Sequence, residues 1–115
     1  MIRSVLFLEP LGGDPGAIER FFVSEGVLEH ASATPGFVAA ELQLPLDRAA
    51  PAMVTALWAS REAYRRWVDD PWRAANAERG RSVFRAIEQP GGGGSLYEVR
   101  ISVGGSYPAA DEPQS

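Results

Sequence analysis

The sequence predicts an α+β domain of the ferredoxin-like kind, β-α-β-β-α-β, with a four-stranded antiparallel sheet carrying its helices on one face. Three observations predict it. Four short runs are rich in β-branched and aromatic residues, as strands are. Longer runs between them repeat apolar residues at helical steps of three and four. Proline and glycine clusters punctuate the boundaries. Two βαβ-type halves of this length suit that sandwich, and 115 residues suffice for one hydrophobic core but not two.

The first strand is "IRSVLFLE", residues 2–9, and "PLGGDPG" breaks it. Asp14 is placed to cap a helix that has Pro15 at its first position. Ile18, Phe21, Phe22, Leu28 and Ala31 then recur at helical spacing, so one amphipathic helix is expected over 15–32. Strands follow at 37–44 and 52–59. Ser60 is a second N-cap, and Tyr64, Trp67, Val68 and Trp72 share one face of the helix it opens. "DDP", 69–71, breaks that helix, because the residue before proline disfavours the helical backbone. Asp70 caps its continuation, which runs to Arg79 with Gly80 as C-cap. Val83, Phe84 and Ile87 suggest one more short helix at 82–88. Glycines 91–94 form a loop, and alternation over 95–103 marks the last strand. The domain therefore covers 1–104, with a small, polar tail at 105–115 expected to be disordered.

Composition narrows the function. Hydrophobic residues make up 45% and charged residues 23%, as in a soluble globular domain. Without cysteine there is no disulfide, thiolate metal site or thiol nucleophile, and a cytoplasmic setting fits best. The net charge of −4 argues against nucleic acid. No apolar run is long enough to span a membrane. The segment "EPLGGDPGAIER" lacks the glycine and lysine pattern of a phosphate loop, and Asp14 would repel a phosphate there. No spacing of carboxylates and histidine suggests a catalytic triad or a metal site.

Both faces of the strands are apolar. Strand one offers Ile2, Leu6 and Leu8 on one side and Val5 and Phe7 on the other; strand three offers Val54, Ala56 and Trp58 against Met53 and Leu57. Helices cover one face only, so the other predicts a homodimer stacked sheet on sheet. The alternative is cover by the extra short helix or by the tail.

Residues 2–103 resemble the antibiotic biosynthesis monooxygenase (ABM) family, small dimeric α+β barrels. The resemblance is carried by "TPGFVAAEL", by "VTALWASREAYRRWVDDP" and by "LYEVRISV". Its most specific element is Trp58, Ser60, Glu62, Ala63 and Tyr64, read as W-x-S-x-E-A-Y. One branch of the family converts phenolic polyketide intermediates to quinones without metal or flavin. The resemblance to it implies catalytic roles for Trp58 and Tyr64, with an arginine further along, for which Arg73 or Arg79 could serve. It also implies an asparagine four residues before the tryptophan, where this chain has Val54. A second branch degrades haem. Trp67 matches its helix tryptophan, but Asn76 stands where its histidine ligand would be, and strand one holds no asparagine. An amide is a poor iron ligand beside an imidazole, so haem degradation is disfavoured.

The resulting expectation is a cofactor-independent monooxygenase acting on a small aromatic, polyketide-like molecule and molecular oxygen. Trp58, Tyr64 and Arg73 would be catalytic; Trp67, Trp72, Asn76 and Val54 would line the site, with Trp72 at its mouth. The chemistry asks for a dry aromatic cavity and a positive charge for a phenolate. A polyketide cyclase could use the same pocket, and a non-catalytic binding or stress-response domain could keep the barrel without the chemistry. Each ring has core packing as its alternative role. The arginines between 61 and 85 otherwise read as a solvated surface, with Glu62 pairing to Arg65 or Arg66. His30, the single histidine, suits the negative end of the first helix.

Overall fold

The computed structural model describes residues 1–104; the expected tail at 105–115 lies outside them. Nine elements follow in order. They are β1 (Ile2–Pro10), α1 (Pro15–Glu25), α2 (Val27–Ser32), β2 (Phe37–Gln43), β3 (Ala52–Trp58), α3 (Arg61–Val68), α4 (Pro71–Gly80), β4 (Phe84–Ile87) and β5 (Ser95–Glu98). The class is α+β, ferredoxin-like, as expected.

β1 is the central strand. β3 pairs antiparallel along one edge of it, setting Ile2 against Trp58, Ser4 against Ala56, Leu6 against Val54 and Leu8 against Ala52. β2 pairs antiparallel with β3 beyond, with a register shift between Phe37 and Ala39. The other edge of β1 is shared. β4 pairs with Phe7–Pro10, and β5 pairs with Ile2–Val5. The sheet thus has five strands in place of the expected four, β4 being the addition and sharing one edge of β1 with β5. It is an open sheet.

The expected helix at 82–88 is a strand. Val83, Phe84 and Ile87 do sit at helical steps, but the free edge of β1 offers unpaired backbone groups at residues 7–10, and pairing with them settles the segment. Phe84 and Ala86 then face the core, while Arg85 and Ile87 are exposed, the alternation of a strand. The last strand stops at Glu98 rather than 103, because Glu98 pairs with Ile2 and β1 offers little beyond. A single further bond, from the Val99 N–H to the Met1 carbonyl, closes the edge.

The helix expected over 15–32 is two. Gly26 has φ 63°, and its N–H reaches back to the Phe22 and Val23 carbonyls, which ends α1 and turns the chain into α2. Gly80 is not a C-cap; it is the last residue of α4, and Arg81 caps it. A Cβ at Gly80 would lie 3.0 Å from the Phe84 ring, so the glycine allows close packing. The three N-caps form as the sequence implies. Asp14, Ser60 and Asp70 accept from the backbone N–H groups of Gly16, Ala63 and Trp72.

One face of the sheet carries the core, in two clusters. Ala56, Trp58, Ala63, Tyr64 and Trp67 form one, and Leu8, Ile18, Phe22 and Ala52 the other. On the opposite face Phe7, Ile87 and Tyr97 remain exposed, at 42%, 41% and 58%. Among the described residues no helix is long and apolar enough to cross a membrane.

Candidate functional site

The two core clusters do not close completely. Between sheet and helices lies a narrow cavity of about 90 Å³. β1 contributes Ser4 and Leu6 to its wall, and β3 contributes Val54, Ala56 and Trp58. These residues share the inward side because successive strand side chains alternate. α3 adds Tyr64 and Trp67, three residues apart on one face; α4 adds Arg73 and Asn76, also three apart. Glu88, just past β4, completes the rim.

The polar groups of the wall already have partners. The Trp58 indole N–H donates to Ser4 Oγ at 3.0 Å, with both residues buried. The Tyr64 hydroxyl accepts from the Gly94 N–H at 2.6 Å and keeps its own proton to donate. Asn76 Nδ2 donates to Glu25 Oε1 at 2.8 Å, and Arg79 Nε donates to the same oxygen at 2.8 Å. Arg73 Nη2 lies 3.5 Å from Glu88 Oε1. The rings pack edge on: Trp58 meets Phe37 at 89° and Tyr64 at 60°, each 5.4 Å between centroids. Such pairs hold their geometry beyond simple burial.

The structure therefore gathers Trp58, Tyr64, Arg73, Trp67, Asn76 and Val54 around one cavity. Trp72 is elsewhere. It stacks on His30 at 3.6 Å and 14°, and leans on Trp67 at 6.1 Å. It packs against the aromatic cluster and is not among the residues that line the cavity. His30 does lie in the last turn of α2, and the stack is an addition to that role. Arg73 is the arginine turned inward, with its side chain 17% exposed. Glu62 does not pair as expected: Arg65 reaches Asp69 and the Gly91 carbonyl, and Arg66 reaches the Pro35 carbonyl.

Three residues escaped the sequence reading. Ser4 had a signal, being the one polar residue in the inward series Ile2, Leu6, Leu8. Glu25 and Glu88 had none, since their partners lie far away along the chain and the helix expected at 82–88 concealed the position of Glu88.

Solved structures share this architecture. SnoaB from Streptomyces nogalater, a cofactor-independent oxygenase, is 20% identical with a TM-score of 0.69, over 89% of this chain and 95% of that one. A structure of an antibiotic biosynthesis monooxygenase is 12% identical with a TM-score of 0.61, over 90% of this chain and 100% of that one. This chain shares their fold. MhuD from Mycobacterium tuberculosis, a haem degrader with two haems in its active site, also shares the fold. It is 21% identical, with a TM-score of 0.66, over 90% of this chain and 100% of that one. No family model and no curated protein matches the sequence.

No imidazole is among the residues that line the cavity, and the Asn76 side chain is held by Glu25. Among the described residues no group of three or more His, Asp or Glu side chains converges as a metal site.

Proposed function

We propose that this domain is a cofactor-independent monooxygenase of cytoplasmic secondary metabolism, acting as a homodimer on a small aromatic, polyketide-like phenol. The observation that carries the reading is the cavity itself. It is apolar, walled by Trp58, Tyr64 and Trp67, and carries one guanidinium at its rim. The reaction inserts one atom of dioxygen into the ring and releases the other as water. The substrate's own ring C–H and phenolic O–H supply the two hydrogens and the electrons, so a phenol becomes a quinone. The protein has to hold the ring, exclude water and stabilise the phenolate. Trp58 and Tyr64 serve as flat walls, the Tyr64 proton and Arg73 as partners for developing negative charge, and Trp67, Val54 and Asn76 as the shape of the pocket.

At about 90 Å³ the cavity is smaller than the ~150 Å³ that admits benzene in an engineered core. Binding must therefore widen it. The rim is the place to do so, because Arg73 and Glu88 are partly exposed while Ser4, Trp58 and Tyr64 are buried. The homodimer reading is supported by Phe7, Ile87 and Tyr97, left exposed on the helix-free face.

One observation favours a second reading, a binding domain without turnover: the Trp58, Tyr64 and Asn76 polar groups are all engaged within the protein. Oxygen uptake with a phenolic anthrone, followed alongside tryptophan fluorescence, separates the cases. Uptake with quinone formation supports the monooxygenase. Quenching without turnover supports the binding domain, and ring closure without uptake identifies a cyclase. A haem titration is expected to give no Soret shift.

A further inference from the structure

The cavity wall carries two charged side chains, and they face each other. Arg73 and Glu88 are the charged members of the lining, 3.5 Å apart at the rim. Nearly two turns along α4, Arg79 is matched in the same way by Glu25, which also holds Asn76. Both arginines of α4 are therefore matched, cation for carboxylate. Electrostatics in a partly desolvated rim makes that balance matter, because each charge there is less screened than in bulk water.

We propose that Glu88 is a specificity-determining residue: it neutralises Arg73 and restricts the resting cavity to uncharged aromatic ligands, excluding aromatic carboxylates. This rests on the reading that the cavity takes a small aromatic molecule, and it names the charge state of that molecule. An anionic guest would have to displace Glu88 from Arg73 while meeting its like charge. A neutral phenol or alcohol meets no such opposition. It can donate its hydroxyl to Glu88 and accept from Arg73 as the two part. The ligand thus enters protonated, and Arg73 becomes available to an oxyanion only after the rim has opened.

The test uses the full chain and a size-matched pair of probes, benzyl alcohol and benzoate, with binding read by tryptophan fluorescence at neutral pH. For the native chain the alcohol is expected to bind about tenfold more tightly than benzoate. Glu88→Gln is expected to tighten benzoate about tenfold, leaving the alcohol within a factor of about three. Glu62→Gln makes the same change in net charge on the exposed side of α3 and should alter neither. Adding Arg73→Gln to Glu88→Gln should abolish the gain for benzoate, and circular dichroism of each variant checks its fold. Equal binding of the two probes by the native chain, or no gain in Glu88→Gln, overturns the proposal while leaving the aromatic-ligand reading intact. Failure of both probes to bind the native chain overturns the proposal and the aromatic-ligand reading together.

Discussion

Tyr64 joins the cavity to the edge of the sheet, because the ring that lines the wall also accepts the Gly94 N–H. Tyr64→Phe keeps the ring and strands a buried amide. It is expected to cost about 1–3 kcal/mol in urea unfolding, and to speed hydrogen exchange at Gly94. Trp58 and Ser4 form a closed pair in the same way. Trp58→Phe should cost about 2–4 kcal/mol, from lost volume and an orphaned hydroxyl. Ser4→Ala in the same chain should restore part of that loss, and a double-mutant cycle measures the coupling. At this scale the sequence was informative where chemistry is local. The spacing of Trp58, Tyr64, Trp67, Arg73 and Asn76 placed them on common faces, and the fold brings those faces together. Val54 is inward by strand alternation alone. The stack of Trp72 on His30 was not legible, because His30 comes from a helix whose break at Gly26 is not apparent from apolar spacing.

Element boundaries were legible wherever a cap marks them, as Asp14, Ser60 and Asp70 do. Segments whose state depends on a distant edge were not, and 82–88 became a strand because β1 had an edge to fill. The cap at Asp14 carries a pH signature. Arg20 beside Asp14, helped by the Gly16 N–H, holds its carboxyl below the usual 3.8. A depressed folded-state value contributes stability above the unfolded pKa and loses it as pH falls through the folded one. The deficit of Asp14→Asn in urea midpoint should therefore be full at about pH 6 and shrink below pH 3.8. The loop after β4 is constrained by glycine. Gly93 has φ 81°, and a Cβ there would lie 2.8 Å from the Tyr64 hydroxyl. Gly93→Ala should destabilise the domain by more than about 1 kcal/mol in the same assay.

For the whole molecule, alternation along the strands made both sheet faces visible in advance as apolar, and the structure leaves one of them without helices. Phe7, Ile87 and Tyr97 mark the surface that the proposed homodimer would bury. Light scattering at micromolar concentration is expected to give the mass of two chains, and Phe7→Glu the mass of one. What no local pattern revealed is that β4 and β5 lie in one line along β1, with residues 88–94 looped out between them. Each half has its own register on the same central strand, so neither depends on the other for its alignment. The chain can therefore be lengthened at that point without sliding the strands. A short peptide spliced between Gly91 and Gly92 would be carried as a passenger on the outer edge, a natural graft point for a label.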